Sequence, residues 1–162
     1  MTYRVTLDHY LSPAELTELR MRYFPSLLAL NDRYTEHIRP KESFPVSPIY
    51  VDYLRTSWRL DQQPGRPPTE VATNGLGFAF GLLLSSCTSL RWAIATDDMG
   101  PFLTMGRSSD DPVFVSVPPF SYVEKRHETE NAEVFRHFFE QTPAEAIGFA
   151  KPKNWLLDGA QA

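Results

Sequence analysis

An α+β fold is predicted, with N-terminal helices, a central three-stranded antiparallel meander and C-terminal helices packed on the sheet. Three observations carry it. Apolar residues recur every three or four positions along most of the chain up to residue 88. From Arg91 the spacing changes to alternation in short runs joined by polar turns, and after Pro118-Pro119 the helical spacing returns. Helices, then strands, then helices is the order of an α+β chain rather than of alternating α/β units. A length of 162 residues suits one domain. It is read as 1–150, with 151–162 a loosely held tail that Trp155, Leu156 and Leu157 could dock.

Residues 3–7 alternate weakly and read as a short strand. Ser12-Pro13-Ala14-Glu15 spells a helix start: Ser12 can cap, proline suits the first helical position, and Glu15 can reach back to the cap. Leu16, Leu19, Tyr23, Leu27, Leu30 and Tyr34 then mark one helical face. Pro25 removes a ladder bond and crowds the preceding turn, which predicts a kink or two short helices meeting near Phe24. Residues 39–48, with three prolines, read as a linker. Ser47-Pro48 starts a second helix, with Tyr50, Val51, Tyr53, Leu54 and Trp58 inward and Asp52, Arg55 and Arg59 toward solvent. The run QQPGRPP at 62–68 ends it.

A third helix spans about 69–88. Leu76, Phe80, Leu83 and Cys87 form one stripe, and Gly77, Gly81 and Ser85 a small-residue stripe beside it. Glycine inside a helix costs about 1 kcal/mol relative to alanine, so Gly77 and Gly81 are expected to face another backbone at close range. Residues 91–96 read as a strand, Asp97-Asp98-Met99-Gly100 as a turn and 102–105 as the return strand. After a second turn at 106–112, 113–117 is the clearest strand in the chain. Helices follow at 120–128 and 131–140, and Thr142-Pro143 starts a short last one.

Composition narrows the function classes. Lys plus Arg number 16 against 20 Asp plus Glu, a net charge of −4, so no global field attracts nucleic acid or anionic lipid. The lone Cys87 excludes an intramolecular disulfide. MTYRVTLDHY lacks the apolar core of a secretory signal, which points to the cytoplasm. Residues 71–90 carry no charge and place Gly77 and Gly81 in G-x-x-x-G spacing, yet only 76–84 is free of polar side chains. A membrane span needs about 20 apolar residues, so a buried core helix is expected and no membrane partner.

Each motif has a chemical and a packing reading. Gly75-x-Gly77-x-x-x-Gly81 resembles a phosphate loop, but a proline-rich stretch precedes it where a strand should, and no lysine follows. Glu124-x-x-His127 has di-metal ligand spacing, but occurs once where such cages need it twice. No metal or cofactor is therefore expected. Asp97-Asp98 stands at a strand end, where catalytic carboxylates often lie, and before Gly100, where aspartate serves a turn. Asp110-Asp111-Pro112 is a turn signal. Cys87 on an apolar stripe reads as an inert thiol. His9, His37, His127 and His137 fall in separate segments, and no G-x-S-x-G appears. Aromatic residues make up 13% and several adjoin arginines, at Arg20 to Phe24, Trp58-Arg59 and Arg91-Trp92, a mixture used by protein interfaces.

Leu76-Gly77-x-x-Phe80-Gly81, Trp92, Asp97-x-x-Gly100, Pro118-x-Phe120 and Lys125-Arg126 together resemble an uncharacterised bacterial domain family of unknown function. Its members read L-G-x-x-F-G on a helix, W-x-x-x-x-D-x-x-G on a strand and turn, then P-x-F and K-R. The likeness covers about a third of the chain and departs at 85–89, which is more polar. It implies an α+β layout and a bacterial cytosolic origin, and it transfers no catalytic residues. The leading expectation is a non-enzymatic protein-binding module, a monomer or weak homodimer, with the size and acidity of toxin-immunity proteins. The alternative is a small enzyme with carboxylates at Asp97 and Asp98 assisted by Arg126 or His127, which requires the last strand to return beside the first.

Overall fold

The computed structural model describes residues 5–35, 47–108 and 114–151. Along them run β1 (Thr6–Tyr10), α1 (Pro13–Tyr34), α2 (Pro48–Leu60), α3 (Thr69–Cys87), β2 (Arg91–Asp97), β3 (Gly100–Arg107), β4 (Val115–Val117), α4 (Pro119–Glu124), α5 (Val134–Gln141) and α6 (Ala144–Ile147). The fold is α+β, as expected. His37, the turn at Asp110-Asp111-Pro112 and the tail anchors Trp155, Leu156 and Leu157 lie outside the described residues.

The sheet has four strands, not three, in the order β1-β2-β3-β4, each antiparallel to its neighbour. The added strand is β1, which pairs from Thr6 opposite Thr96 to Tyr10 opposite Ala93, with a bulge between Leu7 and His9. An edge strand is half-solvated, and the bulge breaks its alternation, so the segment carries little apolar pattern. β4, the clearest strand by composition, is only 3 residues long.

Helix α3 is the centre of the molecule. Its stripe Leu76, Phe80, Leu83 and Cys87 is buried, with α1, α2 and α4 packed around it and the sheet against its remaining side. The glycines permit that crowding, but Gly81 meets an aromatic ring rather than backbone: a Cβ there would overlap the indole of Trp92. A Cβ on Gly77 would overlap the Phe120 ring and lie 3.1 Å from the Phe120 Cα, and Gly75 faces the backbone of Ser26 in α1. The C-terminal helices lie against other helices more than on the sheet: α4 follows α3 and α5 rests on α2, with Phe120 reaching Trp92 of β2 at 6.1 Å between ring centroids.

Helix α1 runs 22 residues through Pro25 instead of breaking into two. Pro25 is exposed while Leu27 and Leu30 are buried. The carbonyl it leaves unpaired one turn back belongs to exposed Met21 and can be solvated. At its start both halves of the expected capping box form. Ser12 Oγ accepts the Glu15 N–H at 3.2 Å and Glu15 accepts the Ser12 N–H at 3.0 Å.

Asp52 and Arg55 were expected in solvent and are buried, at 6% and 1% exposure. Their partners are backbone groups distant in sequence. Asp52 accepts the N–H groups of Phe135 and Arg136 at the start of α5. Arg55 donates to the carbonyls of Arg126, His127, Thr129 and Asn131. A buried charge is tolerable only with such partners. Among the described residues no helix is long and apolar enough to cross a membrane.

Candidate functional site

The residues singled out for chemistry are occupied by local structure. Asp97 Oδ1 accepts the Met99 N–H at 2.8 Å and so closes the β2–β3 turn, where Gly100 takes a φ of 111°. Asp98 beside it is exposed. Arg126 lies over the Tyr122 ring, 3.8 Å from its centroid, and donates to the Tyr122 carbonyl at 3.2 Å. His127 Nδ1 lies 2.8 Å from the carbonyl of Glu124, so Glu124 engages it through backbone and not as a second metal ligand.

The strand order places β4 beside β3 and not beside β2, so the return that would bring Asp97 and Asp98 to Arg126 and His127 does not occur. No hydrogen bond or ion pair joins the two pairs among the described residues. Nor do three His, Cys, Asp or Glu side chains cluster as metal ligands among the described residues. Cys87 is buried, its thiol donates to the Leu83 carbonyl at 3.0 Å, and burial pushes its pKa up to about 12.

Besides a smaller groove of about 210 Å³ beside Tyr122, Arg126 and His137, the fold leaves open, among the described residues, a groove of about 420 Å³ between α1, α3 and the start of β2. Leu11, Leu19, Phe78, Leu90 and Trp92 form its floor, all of them buried. Leu16, 40% exposed, stands at the lip. Arg20 of α1 and Arg91 of β2 line two of its walls.

Several local choices shape this groove. The Leu11 N–H bonds to the Trp92 carbonyl at 3.0 Å, which ends β1 against β2. The capping box then turns the chain into α1 one residue later. Glu15 also meets His9 Nε2 at 3.1 Å, tying the first turn of α1 back to β1. The Ser12 N–H and His9 hold the Glu15 carboxyl below its usual range. On the opposite wall, Gly81 lets Trp92 lie against α3, with its ring stacked toward Phe78 at 6.4 Å.

Both arginines adjoin aromatic residues in the sequence, and each lies over a ring in the fold. Arg91 lies over Tyr10 of β1, 4.1 Å from the centroid, and Arg20 over Phe24 at 4.7 Å. The Trp58 ring likewise carries Arg66, at 4.0 Å, in place of adjacent Arg59. Neighbours in a strand point to opposite faces, so Arg91 and Trp92 cannot stack, whereas the cross-strand Tyr10 can. No family model, curated protein or solved structure matches this chain, and the site is read from its own geometry.

Proposed function

We propose that this chain is a cytoplasmic, non-enzymatic protein-binding module that receives its partner in the groove between α1, α3 and β2. The observation that supports this reading is an open apolar floor with Arg20 of α1 in its wall. Arg20 is in no ion pair among the described residues. Apolar pockets bordered by aromatic and arginine side chains are where binding energy concentrates in protein interfaces.

The test compares wild type with Leu16→Arg, which blocks the lip at an exposed position and leaves the floor intact. Affinity capture from the native host, with bound protein identified by mass, is run on both. A thermal-shift screen of metals, nucleotides and common metabolites runs beside it. The expected outcome is a protein retained by wild type and lost by a folded Leu16→Arg chain, without a small-molecule shift. A ligand that stabilises the native state raises the midpoint by mass action, by about 2.7 kcal/mol at a hundredfold excess over Kd. A clear shift with a small molecule and no protein recovered overturns the reading.

A further inference from the structure

The sheet is apolar on both faces. Alternation along β2 puts Trp92 and Ile94 against the helical core and Arg91, Ala93, Ala95 and Asp97 on the opposite side. The strand register extends that second side across the sheet. Leu7 and Phe102 flank Ala95, and Tyr10 and Thr104 flank Ala93. The Phe114 ring lies where a Cβ on Gly106 would stand. Ser116, opposite Gly106, has its Oγ 2.7 Å from the Thr104 Oγ1. Arg91 lies over the Tyr10 ring on this same side. An antiparallel sheet with one face in water carries polar residues on that face. Here Leu7, Tyr10, Phe102 and Phe114, all part-exposed, stand around buried Ala93 and Ala95. Helix α3 packs on the sheet from the Trp92 side.

We infer that this second face docks another copy of the chain, the two sheets stacking about a two-fold axis that runs across the strands. Charge complementarity selects the occupant. Arg91 and Asp97 stand on this face at opposite ends of a 7-residue strand, about 20 Å apart. A two-fold axis in that direction reverses β2 over its copy. Each Arg91 end then lies over the Asp97 end of the other chain, and one patch complements itself. Stacked sheets lie about 10 Å apart, a gap that side chains from both faces fill. Four strands make a face roughly 19 Å wide and 20 Å long. That falls short of the roughly 800 Å² a side of a standard interface, so the dimer is weak and concentration-dependent. The surface is separate from the groove, whose floor includes Trp92 on the other side of the sheet.

Sedimentation equilibrium of the full chain from about 1 to 100 μM tests the inference. The expected result is a reversible approach to twice the chain mass as concentration rises. Phe102→Glu sets a charge on the stacked face at a part-exposed position and should stay monomeric, its fold checked by circular dichroism. Arg91→Glu sets like charges against Asp97 of the second copy and should weaken the dimer at least roughly tenfold. Arg91→Glu/Asp97→Asn removes the repulsion, keeps an acceptor for the β2–β3 turn, and should recover part of the loss. Leu16→Arg, at the groove lip, should leave the dimer unchanged.

A wild type that stays monomeric at about 100 μM would overturn the inference and leave the groove reading standing. A dimer indifferent to both Phe102→Glu and Arg91→Glu would place the second copy on another surface. One lost in a folded Leu16→Arg chain would place it in the groove, and either result overturns the inference. So does a different protein retained by monomeric wild type and lost on Phe102→Glu, which would give the face to that partner.

Discussion

Asp52 and Arg55 stand three residues apart on α2 and hold two different pieces of the C-terminal half. Asp52 receives two N–H groups of the first turn of α5, from Phe135 at 2.8 Å and Arg136 at 3.0 Å. Arg55 gathers carbonyls of the segment before it, among them Thr129 at 2.9 Å. A side chain on one helix thus serves as the N-terminal cap of another, and α5 has no cap of its own from Glu133.

The first expected outcome concerns pH. Burial raises the Asp52 pKa from 3.8 to about 6, against the opposing pull of its two N–H donors. A folded pKa above the unfolded one means that the native state holds the extra proton between those values. This contribution to stability is full below pH 4 and is lost as pH rises through 6. Urea unfolding of wild type and Asp52→Asn at pH 4.5 and pH 7 should therefore show wild type losing ground to the variant on the alkaline side. The difference should be on the order of 1–3 kcal/mol. A gap that does not move with pH would show that Asp52 titrates normally.

Arg55→Met keeps the stem and removes every donor from the carbonyls of residues 126–131 that Arg55 serves. A destabilisation on the order of 2–4 kcal/mol is expected, read as a lowered urea midpoint. Arg55→Lys should recover only part of it, because one ammonium lacks the fork that reaches several carbonyls. Equal midpoints for wild type and Arg55→Met would mean that water can replace the guanidinium.

Gly81→Leu drives a side chain into the Trp92 indole, which Gly81 now accommodates. Overpacking of this kind costs about 1–3 kcal/mol. Because Trp92 is also part of the groove floor, the variant should lose the captured partner at temperatures where it is still folded. Retained binding with full stability would place Trp92 outside the groove.

Cys87 should label slowly with a thiol reagent in the native state and quickly in denaturant, since the thiolate is the reactive form and burial disfavours it. Equal rates in the two conditions would contradict its buried place on α3.

Local signals were legible in the sequence and distant ones were not. Ser12 with Glu15, and Ser47 with Pro48, announce helix starts because cap and capped group are three residues apart. The α3 stripe is legible because one helix face repeats along the chain. The inward turn of Asp52 and Arg55 is not, since a charge on a helix reads as solvated until its partners, more than seventy residues away, are known. The groove combines α1, α3 and the start of β2, and the cation–π pair of Arg91 with Tyr10 crosses strands. Only the register of β1 on β2 reveals that pair.

The placement of β1 has a consequence for the newborn chain. Thr6 leaves the ribosome ahead of its partner Thr96, which is made 90 residues later. At roughly 5–20 residues per second, that interval is on the order of 10 s. Helices α1, α2 and α3 can assemble during the wait, while β1 has no template to join. Since Leu11 and Trp92 meet only when β1 docks, the groove is among the last features to exist. A partner that recognises it distinguishes a finished molecule from an incomplete one.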